Sequence, residues 1–408
     1  MKHTIYTPSN KILENYADVL VNFALNQGQG IRPNETAYLT ISEAAKPLLM
    51  AIRRAVLKSG GHVITDYRPD SDKDYPFEKE FYVLANDQQL TFFPKQYMRG
   101  LINQVDHMIY IIAETDKHAL KGVDPQKIMQ RGLAFKPYLD WRRRKENEGK
   151  FSWTLGLYGT QAMADEAGLS LEEYWQQIIK ACFLTDGAPV KKWQAVAGQI
   201  QVTINKLNKL QIKKVHVVGP DTDLHITIGD QRRFLGGRGN NIPSFEIFTS
   251  PDWRGTNGWI KFNQPLYRYG NLITGIELEF KNGHVIKSKA KKNELLLKNM
   301  IATPNADKVG EFSLTDKRFS HITKFMAETL FDENIGGPHG NTHIALGASY
   351  HDAYDGAAAK VTKAGWKRLG FNDSTVHTDI ISTAKREVIA TLKNGKQKTI
   401  YKDGIFTL

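Results

Sequence analysis

The chain changes its rhythm near residue 213, and that change limits its possible folds more than any single motif. Upstream, helix-period and strand-like segments take turns, a βαβ pattern that calls for a parallel sheet with helices on its faces. Downstream, short β-prone runs dominate, and the Asn282-Gly283 and Asn394-Gly395 pairs sit between such runs where hairpin turns belong. One sheet cannot serve both patterns. A chain of 408 residues also exceeds the length, about 250–300 residues, at which a single core stops growing. The reading is therefore α/β: an N-terminal βαβ-type domain over 1–190 and a C-terminal mixed α+β domain over 191–408, with the boundary between residues 183 and 213.

Individual elements follow from local signals. Ile12, Leu13, Tyr16, Val19, Leu20 and Phe23 recur every three or four residues and predict a helix over 12–24. Residues 37–41, 62–65 and 108–113 read as short strands. Ser42 stands where an N-cap is wanted for a helix running to Leu57, which Gly60-Gly61 ends. The charged stretch 138–150 reads as a solvated helix end or a connection. Ser170 and Glu173 have capping-box spacing ahead of a helix over 174–183. Later strands are predicted at 215–218, 224–228, 272–280 and 388–392.

Composition removes some function classes. Cys182 is the only cysteine, so an internal disulfide and thiolate-held zinc or iron–sulfur are excluded. A bound metal must then be held by His and carboxylates. The first twenty residues carry Lys2, Lys11, Glu14 and Asp18, so no leader or anchor is expected. No later run approaches the apolar length, about 18 residues, of a membrane span. A cytoplasmic protein without membrane contact is the expectation. The formal net charge of +12, and Arg142, Arg143, Arg144 and Lys145 beside Trp141, raise a rival reading as a polyanion- or nucleic-acid-binding protein. No recognisable nucleic-acid-binding motif accompanies that charge, and no nucleic-acid partner is expected.

Familiar catalytic signatures are missing. There is no phosphate-binding G-x-x-x-x-G-K-[S/T] and no G-x-S-x-G, and Gly28-Gln29-Gly30 lacks the third glycine of a dinucleotide loop. His339 and His343 are four apart, but Gly340 and Asn341 between them disfavour a helical zincin site. What remains is a scatter of ligand-type residues in the second half, where five of the twelve histidines follow residue 320. Glu246, Glu311 and His343 each interrupt an apolar, β-prone run. Burying a charge there is costly unless it is paired or bound to metal, although an exposed strand face would explain each one alone. His377 and Asp379 are two apart, which places them on one side of a strand. Imidazoles and carboxylates together suit Zn, Co or Mn, and bridging carboxylates allow two such ions about 3.5–4 Å apart.

The wording and order of these segments resemble the thermophilic aminopeptidase family of dimetal metallopeptidases, that of aminopeptidases T and S and similar leucyl aminopeptidases. The likeness includes E-N-Y-A-D-V-L-V from Glu14, A-G-L-S-L-E-E-Y-W from Ala167, V-G-P-D-T-D-L from Val218, F-D-E-N from Phe331 and K-D-G-I-F from Lys402. It therefore spans nearly the whole chain. The resemblance implies hydrolysis of N-terminal residues from peptides with a free N-terminus, through a hydroxide activated by two divalent metal ions. It carries Glu246, Glu311, His343, His377 and Asp379 over as ligands, Glu311 as a bridging and catalytic residue, Glu333 as a further ligand, and Tyr350 as the active-site tyrosine. It also implies a homodimer. The sequence departs from the family pattern in a longer loop at 335–341 and in Ser244-Phe245, where a glycine-containing pair is expected before Glu246. A different metal-dependent amidohydrolase on the same scaffold is the other alternative, since a scaffold does not dictate its substrate.

Overall fold

The computed structural model describes residues 6–408. Four strands, β1 (Thr36–Ser42), β2 (His62–Arg68), β3 (His107–Ile112) and β4 (Ser152–Leu157), form a sheet in the order β2-β1-β3-β4 with every neighbouring pair parallel. Parallel neighbours require crossovers, and helices such as Lys46–Lys58 between β1 and β2 supply them. The first helix, Asn10–Asn22, starts where Ser9 Oγ accepts from the Ile12 N–H at 3.4 Å. Its stripe of Leu13, Tyr16, Val19 and Leu20 is buried, and Tyr16 Oη accepts from the Leu157 N–H at 2.8 Å, tying the helix to the end of β4.

Two expectations need correction here. Ser42 does not cap the second helix: it ends β1, and its hydroxyl donates to the Ala113 carbonyl at 3.2 Å. A single tight turn, Glu43–Ala45, intervenes, so the helix starts at Lys46 with a proline in its first turn. The charged stretch 138–150 is largely regular helix, Lys136–Asn147, and not a connection. Lys136, Arg143 and Lys145 find partners distant in sequence, which a polar pattern alone does not reveal. The predicted capping box is present: Ser170 and Glu173 cap the helix Leu171–Ala181 reciprocally, an arrangement worth about 1 kcal/mol.

The strands after residue 211 are β5 (Ile212–Gly219), β6 (Thr222–Thr227), β7 (Glu246–Thr249), β8 (Asn257–Lys261), β9 (Leu266–Arg268), β10 (Asn271–Ile273), β11 (Glu277–Lys281), β12 (His284–Lys289), β13 (Val309–Thr315), β14 (Asn341–Gly347), β15 (His377–Ser382), β16 (Glu387–Leu392), β17 (Gln397–Lys402) and β18 (Ile405–Phe406). Eight of them make an antiparallel sheet in the order β12-β11-β8-β6-β5-β16-β17-β18, and four make a second in the order β15-β14-β13-β7. Both Asn-Gly pairs turn hairpins, β11 to β12 and β16 to β17. The expected strand over 272–280 is instead two strands in two sheets, because the chain leaves its β9 partner after Ile273 and joins β8 only from Glu277.

The helix Pro189–Lys209 joins the two halves. It buries Trp193, Val196, Ile200, Ile204 and Leu207 at helical spacing. Trp193 stacks between Phe23 (5.7 Å) and Phe245 (5.5 Å), so the residue before Glu246 is packed through this indole against the first helix. Among the described residues, no helix is long and apolar enough to cross a membrane.

Candidate metal centre

Cross-strand pairing decides which side chains of the four-stranded sheet share a face. Thr315 pairs with Glu246 and with Asn341; Ser313 with Phe248 and His343; Glu311 with Ala345, which pairs with Asp379; and Gly347 with His377. Directly paired residues project to the same side. Glu246, Glu311, His343, His377 and Asp379 therefore all rise from one face. The opposite face presents Ile247, Phe312, Leu314, Ile344, Leu346 and Ile380, all buried in the main core.

Glu311 keeps the regular alternation of Ser313 and Thr315, and β13 becomes irregular immediately before it. The register shifts between Val309, opposite Leu346, and Glu311, opposite Ala345, with Gly310 as the extra residue. Without that extra residue Val309 would project with Glu311 onto the ligand face; the bulge turns it to the apolar core instead. A Cβ at position 310 would lie 2.3 Å from the Ala348 carbonyl oxygen, so glycine is required for this approach.

The donor atoms converge. His343 Nε2 lies 3.1 Å from Glu246 Oε2 and 3.4 Å from Glu311 Oε1. The other oxygen of Glu311 lies 3.6 Å from His377 Nε2, which is itself 3.5 Å from Asp379 Oδ1. Glu311 thus faces both histidines, one with each oxygen. Three overlapping trios, Glu246–Glu311–His343, Glu311–His377–Asp379 and Glu333–His343–Asp379, each offer ligand atoms within 4.8 Å of one another. Supporting bonds orient them: Ser313 Oγ donates to Glu246 Oε2 at 2.8 Å, and His377 Nδ1 contacts the Ala348 carbonyl at 2.8 Å, turning Nε2 inward. Glu333, just after the helix Thr329–Asp332, has Oε1 bonded by Asn241 Nδ2 (2.9 Å) and Asn334 Nδ2 (3.3 Å). The loop at 335–341 does not displace it, because that loop folds back against Tyr401. Gly340, at φ +65°, would put a Cβ 2.0 Å from the Tyr401 hydroxyl.

Crowded carboxylates distort one another. Burial, with the charges of Glu246 and Asp379, pushes Glu311 up to about 7 despite its contact with His343. Glu333 is raised well above the carboxylate range, first by burial and then by Glu246 and Asp379. Burial opposes charge on His377, yet Asp379 and Glu311 hold it up to about 9. Three buried carboxylates, Glu246, Glu311 and Glu333, and the half-buried Asp379 face two imidazoles and form a site with excess negative charge. That is the donor chemistry that divalent cations satisfy, and the residues fit such ions.

Tyr350 follows β14. Its N–H donates to Ser250 Oγ at 2.8 Å, and its ring lies 4.6 Å from that of His377. Tyr350, Glu333, His377 and Asp379 line a cavity of about 650 Å³ whose other wall includes Thr40, Ser42 and Tyr110, at the C-terminal ends of β1 and β3. The crevice beyond the carboxyl ends of parallel strands is where such sheets hold ligands. Arg142, Trp153 and Arg268 also line it; against the effect of burial, His377, then His343 and Arg268, hold the Asp379 carboxyl below its ordinary value. Sequence reading missed Arg268, Asn241 and Ser313, which carry no periodic or motif signal. The basic run around Arg142 does not form a stripe. Arg142 lies over Trp153 at 5.7 Å, Arg143 pairs with Asp373 at 3.1 Å, Arg144 with Glu148 at 3.4 Å, and Lys145 donates to the Ile102 and Val105 carbonyls.

The comparisons with known proteins agree with this geometry. The family described as thermophilic metalloprotease (M29) matches residues 9–406. Aminopeptidase PepS from Streptococcus thermophilus is 28% identical over 96% of this chain and 97% of its own length. Aminopeptidase T from Thermus thermophilus is 27% identical over 72% of this chain and 74% of its own. The solved structure of wild-type AmpT from Thermus thermophilus superposes with a TM-score of 0.80 at 21% identity, covering 98% of this chain and 99% of that one, and so shares the fold. A fold superposing over nearly all of both chains, a family match over nearly the whole sequence and a buried cluster of carboxylates and imidazoles lead to one conclusion: the chain belongs to the thermophilic metalloprotease (M29) family.

Proposed function

We propose that this chain, a metallo-aminopeptidase, holds two divalent metal ions (Zn, Co or Mn) with Glu246, Glu311, Glu333, His343, His377 and Asp379, and releases N-terminal residues from peptides there. The observation that carries this reading is the shared position of Glu311, whose two oxygens face His343 and His377 from one buried sheet face. Divalent ions bound at such a site polarise the scissile carbonyl and lower the pKa of a water toward neutrality.

The chain's own groups do the rest. Glu311 orients the two halves of the ligand set. Tyr350, held against His377, is positioned to donate its phenolic hydrogen to the oxygen of the tetrahedral intermediate. As water adds to the carbonyl carbon and the C–N bond breaks, one proton must pass from water to the leaving amine. Glu246 and Glu333 are the carboxylates assigned to carry it. Trp153 and the strand ends of β1 and β3 form the wall of the cleft opposite the ligands. A free N-terminus is the substrate feature that an acid-lined centre selects. A division of the chain at 190/191, a cytoplasmic location and a homodimer belong to the same proposal. The division is supported by the confinement of the parallel sheet to residues before 158 and of the antiparallel sheets to residues after 211.

The test is metal analysis paired with cleavage of aminoacyl-p-nitroanilides, before and after chelation and with Zn, Co or Mn restored. Activity should vanish on chelation and return with metal. Cleavage that survives complete metal removal would contradict the mechanism. Glu246→Gln and Glu333→Gln identify the shuttle as the variant that keeps its metal but loses turnover.

A further inference from the structure

A second donor cluster lies on β5 and β6, strands of the eight-stranded sheet that contribute nothing to the centre described above. In this antiparallel pair His216 stands directly opposite His225, and Val218 opposite Asp223. Asp223 and His225 are two apart, so both share the face of His216, while Val215, Val217, Leu224 and Ile226 on the other face are buried. The two imidazoles stack with centroids 3.9 Å apart and planes 14° apart. His216 Nε2 is 2.7 Å from Asp223 Oδ1, and His225 Nε2 is 3.6 Å from the same oxygen.

An ion pair explains only half of this. A single imidazole nitrogen at 2.7 Å satisfies Asp223, whereas the second ring turns its Nε2 toward the same oxygen from beyond hydrogen-bond reach. The three ligand atoms lie within 4.8 Å of one another. An ion bonded to nitrogen and oxygen at about 2.0–2.2 Å needs donors separated by roughly 3–4 Å. Two neutral imidazoles and one carboxylate select zinc-class ions over calcium or magnesium, which prefer all-oxygen shells. All three side chains reach solvent, which leaves room for water to complete the coordination.

We propose that His216, Asp223 and His225 form a surface site for one divalent transition-metal ion of the zinc class, separate from the centre on β7, β13, β14 and β15. The site depends on none of the catalytic residues, so it stands or falls independently of the peptidase reading. The test starts from metal-loaded enzyme and titrates further Zn²⁺ calorimetrically into wild type, His225→Ala and Asp223→Asn, with Mg²⁺ as a control ion. Wild type should take up one further zinc per chain that Mg²⁺ does not displace. Each variant should lose that equivalent, or bind it at least about tenfold more weakly, a loss of about 1.4 kcal/mol. Hydrolytic activity should be unchanged. Because the residues are exposed, the variants should keep the wild-type melting temperature. Identical zinc uptake in wild type and both variants, or no further uptake by wild type, would overturn the proposal.

Discussion

Tyr350 can donate a proton only if its phenol stays protonated, and its surroundings ensure that. Burial, followed by the charges of Glu311 and Asp379, pushes the phenol well above its ordinary value. Tyr350→Phe keeps the packing on His377 and Phe248 but removes the donor. Turnover should fall roughly 10²–10³-fold with metal content unchanged. A variant with full metal and full turnover would remove the hydroxyl from the mechanism. The adjacent His351 has a structural role. It stacks on Trp366 at 3.7 Å, and its Nδ1 accepts from Asn147 Nδ2 at 3.0 Å. Burial, with the charge of Arg143, holds its pKa down to about 3. The folded state therefore binds this proton less readily than the unfolded chain, whose histidine titrates near ~6.5. The resulting stability is complete above ~6.5 and is lost as pH falls toward about 3, with a slope of up to ~1.4 kcal/mol per pH unit. Between pH 6.5 and 5 the melting temperature of His351→Phe should decline less steeply than that of wild type. Parallel curves would exclude this histidine as a source of acid lability.

At the scale of elements, the site depends on strand alternation and on one departure from it. The His-x-Asp spacing of His377 and Asp379 and the apolar runs around Glu246, Glu311 and His343 were readable, because period-two alternation is local. The bulge at Gly310 was not. It arises from pairing with β14, and without it Val309 would face the ligand side chains. Gly310→Ala forces a Cβ into the Ala348 and Gly347 carbonyl oxygens at 2.3 and 2.5 Å. Overpacking of this kind costs about 1–3 kcal/mol. The variant should melt earlier and should bind less metal after dialysis than wild type. Native metal content in Gly310→Ala would mean that the ligand face tolerates a displaced strand beside Glu311. The misread Ser42 has a similar origin, since its hydroxyl finds the Ala113 carbonyl, distant in sequence, before it can cap a helix.

Across the whole molecule, the two halves of the chain meet over the cavity through Lys117. Its Nζ is buried, donates to Glu114 and reaches Glu328 at 2.9 Å, just before the short helix that leads to Glu333. Burial, with Glu328 beside it, already pushes Glu114 up to about 7. Lys117→Met would leave the half-buried Glu328 and the more exposed Glu114 without their cation, and urea unfolding should show a loss of about 1–3 kcal/mol. A loss under ~1 kcal/mol would mean that solvent screens the pair. This contact joins residues 211 positions apart and has no sequence signature. The sequence by itself determined the change of texture between the two halves, a few of the helices and the ligand candidates, because hydrophobic period, caps and turn residues act over a few neighbours. Only the tertiary structure decided that five scattered side chains share one face, that the bulge at Gly310 turns Val309 away from it, and that Arg142 lines the cleft while its basic neighbours pair elsewhere. Those outcomes depend on strand register and packing between segments distant in sequence, where burial sets the energy of every charge.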